Sequence, residues 1–226
     1  MRYSLVLFVF LSCLLRSIAQ ESSSTSDYLE DQFYLGISYN SFINEPSTFS
    51  QNKFPYNITA GVIRDIPLNK NRNFGLGIGL GYAFNNYFGN TKIVNSGSNF
   101  ELTSLSSADN YTKNQWITHS VELPFQIRWR TSTLESYKFW RIYTGIKASY
   151  LFSTRAVFRS TSENSTLGSL PLEKFQWGLT THVGHSTWNL SLYYGLSRFF
   201  QEKSIPNNPF FYETNELKIG LVFYIF

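Results

Sequence analysis

The chain has 226 residues, 15 % charged and 18 % aromatic, with 21 Phe, 15 Tyr and one Cys. Its 19 basic residues exceed its 15 acidic ones, but Arg2 and Arg16 lie in a leader. The mature balance is therefore 17 against 15, about +2, and no basic cluster points to nucleic acid despite the pI of 9.1. No apolar run after the leader reaches the about 18 residues that a membrane helix needs.

The leader has the layout of a secretory signal peptide. Arg2 supplies a short positive start, Leu5 to Leu15 an apolar run, and Ser17-Ile18-Ala19 a small-x-small cleavage site before Gln20. The run is too short for a membrane span, and Arg16 closes it. Phe10-Leu11-Ser12-Cys13 fits a lipoprotein signal poorly. Cleavage after Ala19 removes Cys13, which leaves no thiol for disulfides or catalysis. Residues 20–30 are expected to be a disordered periplasmic leader, because Glu21 to Asp27 is rich in Ser and Thr.

From residue 31 to 226 the chain reads as strands. Phe33, Leu35, Ile37 and Tyr39 alternate with Tyr34, Gly36, Ser38 and Asn40 at a period of two. A second strand, about Tyr56 to Ile66, sets Ile58, Ala60 and Val62 against Asn57, Thr59 and Gly61, and the polar turn from Pro67 to Asn73 follows. The third is the clearest. Phe74, Leu76, Ile78, Leu80, Tyr82 and Phe84 are large, whereas Gly75, Gly77, Gly79, Gly81 and Ala83 between them are small. A helix would lose about 1 kcal/mol per interior glycine. A nucleotide-binding glycine loop would need a turn and a following helix, and neither is present.

The stretch Asn85 to Gln115 has weak patterning and reads as a long loop. Strand four, roughly Trp116 to Arg130, points Ile117, Val121, Leu123, Phe125, Ile127 and Trp129 one way, and Ser120, Glu122, Gln126, Arg128 and Arg130 the other. After a turn at Thr131 to Tyr137, strand five covers Phe139 to Phe152. There Trp140, Ile142, Ile146 and Tyr150 oppose Arg141, Tyr143, Gly145, Lys147 and Ser149. Ala156 to Leu172 reads as a second polar loop. Strand six carries Phe175, Trp177, Leu179 and Val183 opposite Gln176, Gly178, Thr180 and His182. A tight turn near Gly184 to Thr187, strand seven from Trp188 to Ser197, and a loop around Pro206-Asn207-Asn208-Pro209 lead to the last strand.

That last strand, Leu217 to Phe226, ends on an aromatic residue. Lys218, Gly220, Phe223, Ile225 and Phe226 fit the terminal signal that the outer-membrane barrel-assembly machinery reads. The connections alternate long and short, as in an outer-membrane barrel with both chain ends periplasmic. Trp129 and Trp140 are expected to flank one turn, and Trp177 and Trp188 another, as aromatic girdles. A mean hydropathy of −0.19 suits strands with one face on lipid and one on a polar lumen. The expected fold is all-β, an eight-stranded antiparallel up-and-down transmembrane β-barrel in outer-membrane lipid. A soluble barrel would put its apolar face inside.

An eight-stranded barrel is filled by side chains. Glu122, Arg128, Arg141, Lys147, Glu216 and Lys218 would therefore meet inside, where charges must be paired. Two readings stay open: a structural salt-bridge network that locks the barrel, or a gated ion path. Catalysis finds little support. The histidines are His119, His182 and His185, each read as a polar rim residue, and neighbours His119 and Ser120 face opposite sides of a strand. No calcium or zinc pattern occurs, so no cofactor is expected. The sequons at Asn57, Asn110, Asn164 and Asn189 read as incidental.

Several segments resemble the PorT-type outer-membrane proteins of the Bacteroidota. These are Glu30 to Ile37, Arg64 to Lys70 and Asn73 to Tyr82, together with the Ile18-Ala19-Gln20 junction. The likeness is strongest over the first three strands and covers no catalytic residue. It implies a role in type IX protein secretion and gliding motility, with secretion-system proteins as partners. Leu134 and Tyr137 on a periplasmic turn would suit such docking. The other reading is a small stand-alone barrel with a structural, adhesive or minor transport role.

Overall fold

A computed structural model describes residues 31–51, 53–131 and 139–225. The expected signal peptide and leader, the turn carrying Leu134 and Tyr137, and Phe226 lie outside the described residues. Eleven strands follow in order: β1 (Asp31–Ile43), β2 (Tyr56–Pro67), β3 (Phe74–Phe88), β4 (Thr91–Ser96), β5 (Asn99–Ser104), β6 (Tyr111–Arg130), β7 (Trp140–Ser160), β8 (Asn164–Leu167), β9 (Phe175–His185), β10 (Trp188–Gly195) and β11 (Asn215–Ile225). Eight of them form an antiparallel ring, ordered β6-β3-β2-β1-β11-β10-β9-β7 and closed by β6 on β7. β8 extends the edge of β7, and β4–β5 is a separate hairpin.

The alternation in the sequence becomes the two faces of this ring. Along β1 the side chains of Gln32, Tyr34, Ser38 and Asn40 are buried while Phe33, Leu35, Ile37 and Tyr39 are exposed. The same inversion runs through β3, β6, β7, β9 and β10, so the apolar side chains form an outer belt and the polar ones fill the interior. No helix among the described residues is long and apolar enough to cross a membrane. In hydrocarbon, strands must close into a ring so that no sheet edge is left unpaired, and these strands close.

The two ends differ. β1 begins and β11 ends at the end where the chain returns between β2 and β3, β6 and β7, and β9 and β10. The β9–β10 turn is tight, with His185 paired to Trp188 and Ser186 at φ +56°. Trp129 and Trp140 lie at this turn end. Trp177 does not: it pairs with Ala148 and accepts from Leu196 N at 2.9 Å. It sits toward the opposite end, because β9 runs on to His185 before turning.

At that opposite, loop end the structure has more strand than the pattern predicts. Asn85 to Gln115 contains the end of β3, the β4–β5 hairpin and the start of β6. Likewise Ala156 to Leu172 contains the end of β7 and all of β8. A bulge explains part of the lost pattern: Ser120 faces Leu151 but His119 faces Ser153, so Phe152 is extra and the alternation of β7 flips there. Asparagine side chains also replace ladder partners. Asn208 accepts from Leu102 N at 2.9 Å and donates to Leu102 O at 3.0 Å, and Asn114 donates to Gly89 O at 2.8 Å and Thr91 O at 2.7 Å. Lys92 pairs with Glu163 at 2.6 Å, tying β4 to the β7–β8 loop and holding that carboxyl below its usual range.

The glycine face of β3 is a set of berths for large neighbours. A Cβ on Gly77 would lie 2.5 Å from the Arg128 Nε, and one on Gly81 would collide with the Tyr34 hydroxyl. Gly79 faces Ile63 and Pro124. Pro124 interrupts the β3–β6 ladder, whose pairs resume only at Ile78–Phe125 on one side and Gly81–Glu122 on the other, because proline has no N–H to donate. A Gly81→Val substitution is expected to destabilise the barrel by about 1–3 kcal/mol through overpacking, whereas Gly168→Ala, which meets nothing within 4 Å, should be neutral. Urea unfolding of the refolded proteins in lipid would check both.

Candidate functional site

The interior is stacked in three tiers. At the loop end, Phe42, Tyr87, Trp116, Phe199, Phe200 and Phe211 pack with Ile93, Leu102, Leu170, Leu172 and Ile205 into one buried cluster. Its rings interlock: Phe42 lies 4.7 Å from Phe199, Phe199 5.1 Å from Phe200, and Phe200 5.5 Å from Phe211 between centroids. Such ring pairs add roughly 0.5–1.5 kcal/mol each beyond area burial. These residues come from both the inward faces of the strands and the loops, so the loops fold over the mouth and cap it.

Below the cap lies a charged tier. Tyr87 donates a short hydrogen bond to Glu216, and Lys218 Nζ stands 3.1 Å from the same carboxylate. Lys147 Nζ stands 2.8 Å from Glu122, which also accepts from Thr59 Oγ1 at 2.9 Å. Both ammonium groups lie near the ring of Tyr193, 4.6 Å for Lys147 Nζ and 5.3 Å for Lys218 Nζ from its centroid. A cation near an aromatic face is stabilised by about 0.5–2 kcal/mol, more when desolvated. A cavity of about 30 Å³ lies against this tier, lined by Glu122, Lys147, Lys218, Thr180 and His182 among others. That is room for about two waters.

The turn end holds the third tier. Arg128 donates to Gln32 at 3.1 Å and to Gln126 at 3.2 Å, and lies 3.5 Å from Asp65. Arg130 pairs with the other oxygen of Asp65 at 2.7 Å and donates to Arg72 O at 2.7 Å. The guanidinium of Arg128 stands 4.3 Å from the Tyr143 ring, and that of Arg141 stands 4.6 Å from Phe139 and 5.6 Å from Tyr224. Planar guanidinium groups stack on rings in a way ammonium groups do not.

The six charges expected inside thus fall into separate groups. Glu122 joins Lys147, Glu216 joins Lys218, and Arg128 and Arg141 share the tyrosines of the turn end. Asp65 joins them, an inward charge beyond the six expected, and it continues the Asn57, Thr59, Gly61 parity of β2 that places it inside. The aromatic partners Tyr87, Tyr193 and Tyr224 are not legible in the sequence, because alternation says which face a residue takes but not which ring a cation meets.

Each histidine has a different setting. His182 is a buried lumen residue, not a rim residue, with Nε2 3.1 Å from Thr180 Oγ1. His119 faces outward, its Nδ1 2.6 Å from the Tyr82 hydroxyl, while Ser120 is buried on the other face. His185 is exposed at the β9–β10 turn, 5.3 Å from Trp140. Among the described residues no group of three His, Cys, Asp or Glu could hold a metal ion.

An outer apolar belt around a polar, side-chain-filled ring is the construction of a transmembrane β-barrel, and the match to known sequences agrees. A model of the outer membrane protein beta-barrel domain matches residues 18–201, so the chain belongs to that family of outer-membrane proteins. No curated protein matches. Solved structures that match include the crystal structure of Ail, the attachment invasion locus protein of Yersinia pestis, at 11 % identity and TM-score 0.37, covering 87 % of this chain and 99 % of that one. Another is Ail in complex with the heparin analogue sucrose octasulfate, at 9 % identity and TM-score 0.36, covering 87 % and 100 %.

Removing one partner of the buried Glu122–Lys147 pair leaves an uncompensated charge. Glu122→Gln is expected to cost about 3–5 kcal/mol, and the double replacement Glu122→Leu with Lys147→Met much less. Denaturant unfolding in lipid vesicles measures both.

Proposed function

We propose that this protein is a sealed, non-catalytic barrel that works through its folded loop end as an accessory component of type IX protein secretion. The observation that carries the reading is the aromatic cap. A mouth closed by Phe42, Trp116, Phe199 and Phe200 suits a platform for partners better than a pore. The resemblance of the first three strands to PorT-type proteins supplies the secretion setting and the secretion-system proteins as partners.

In this reading the signal peptide is removed after Ala19 and both chain ends face the periplasm, with the capped loops outside. That orientation follows the general habit of short periplasmic turns and longer outward loops. In this reading Lys218 and Gly220, on the inner face of β11, and Phe223 and Ile225, on its lipid face, serve with Phe226 as the terminal insertion signal. The charged tiers serve as structural filling that locks the ring, with no cofactor. One observation favours the stand-alone adhesive reading. Phe210 and Phe54, both near the loop end, are 78 % and 65 % exposed, and aromatics so placed suit contact with another surface.

Two measurements check these readings. Planar-bilayer recordings should show no steady conductance in the unaltered protein, and conductance abolished by Glu122→Gln would instead support the gated ion path. Deleting the gene in its native host should remove type IX cargo from the culture medium, with rescue by the full-length gene but not by one lacking Phe226. Normal cargo export would leave the stand-alone barrel.

A further inference from the structure

The outer face of the barrel is not uniform around its loop-end rim. On the β6–β7 side, beyond the bulge, the outward positions carry cations. Lys113 stands directly opposite Arg159, and Arg155 stands opposite Ile117 on the same face. Lys53 donates to Thr112 O at 2.9 Å, which brings a fourth cation beside Lys113. Arg155 and Arg159 are exposed. Among the described residues no ion pair reaches Lys53, Lys113, Arg155 or Arg159. Like charges directly opposite on paired strands destabilise a sheet unless an anion offsets them.

Just below these cations the apolar belt ends in a ring cluster. His119 packs 5.3 Å from Phe84, 6.1 Å from Tyr82 and 6.2 Å from Phe152. Aromatic and amphipathic rings of this kind mark the membrane–water boundary. Arg155 pairs with Ile117, one outward position (two residues) above His119, and Lys113 pairs with Arg159 a further four residues along the strands. At about 3.4 Å per residue and a tilt near 40°, the two levels are separated by roughly 10 Å along the membrane normal. Elsewhere on the rim, the outward residues at the loop end of the β1–β11 pair are Ser41, Ile43, Leu217 and Asn215, which carry no charge.

We infer that Lys53, Lys113, Arg155 and Arg159 form a one-sided binding surface for the phosphate-bearing headgroup of a membrane glycolipid. The charges sit where headgroups begin, on the outer wall and not at the mouth, which selects a lipid over a soluble anion. Their spread over two heights exceeds the single phosphate level of a glycerophospholipid and matches a headgroup with phosphorylated sugars. The surface gives the bulged β6–β7 extension a partner that offsets its like charges. In the cell this rests on the proposed orientation, with the loops at the outer leaflet; the binding itself does not depend on the secretion role.

The test uses the full barrel in nanodiscs of zwitterionic lipid, titrated with fluorescent diphosphorylated lipid A, its dephosphorylated form and phosphatidylglycerol. Both leaflets are accessible there, so the outcome is independent of orientation and of export. The diphosphorylated glycolipid should bind best, with affinity falling as salt is raised. Each basic residue near the surface contributes about fivefold, so the triple variant Lys113→Gln, Arg155→Gln, Arg159→Gln should bind roughly 100-fold more weakly. Lys203→Gln, in a loop, should leave binding unchanged. Equal affinity for the dephosphorylated form, or unchanged binding by the triple variant, would overturn the inference, and a preference for phosphatidylglycerol would overturn the glycolipid assignment. Should the triple variant not fold, the phosphate preference and salt dependence of the unaltered protein decide the matter alone.

Discussion

Hydrocarbon offers a peptide backbone nothing to bond with, and the rest of this structure depends on that constraint. Each unpaired N–H or C=O would cost several kcal/mol. The sheet therefore closes, with β1 on β11 and β6 on β7. Closure turns the usual order of a protein inside out: Leu, Ile and aromatic side chains face outward, and Arg128, Arg141, Glu122 and Gln126 are among the most buried residues. Where the β3–β6 ladder is cut, at Pro124, packing fills the gap instead. Its ring sits over Gly79, and the ladder resumes on both sides.

A small ring leaves little room, and the sequence divides that room unevenly. β3 contributes glycines, and its neighbours contribute Arg128 and Tyr34 into the space so left. The polar tiers are held by contacts of two kinds, carboxylate pairs and aromatic faces, and lysines and arginines use both. Above them the loops close the mouth with rings instead of charges. The interior thus changes from Arg–Tyr stacking, through ion pairs, to an aromatic plug over the length of the barrel.

The ring was legible because lipid and lumen impose opposite demands on adjacent residues. Where both demands act, as along Phe33 to Tyr39 or Phe74 to Phe84, parity alone places each side chain. The pattern fades where strands leave the bilayer. Past Phe152 the outward residues of β7 are Ser153, Arg155, Val157 and Arg159, which meet water, so the contrast between faces is lost just where the bulge also flips the parity. The β4–β5 hairpin is hidden because Asn114 and Asn208 bond it through side chains that in sequence look like loop residues. Asp65 and His182 show a further limit. Both had the right parity for the lumen, yet whether such a residue sits at the rim or deep inside depends on strand length and tilt. Trp177 was misplaced for the same reason.

The pairing of β1 with β11 also has a consequence in time. Phe33 meets Ile225 and Ile43 meets Asn215, so the ring joins the first strand to the last. Bringing such distant segments together costs loop-closure entropy, which grows slowly with length, but it makes folding slow. While residues 215 to 225 are still being synthesised, β1 has no partner on one side and the lipid-facing residues have no lipid. The chain must therefore be kept extended and soluble from synthesis until delivery, and only then fold as a unit.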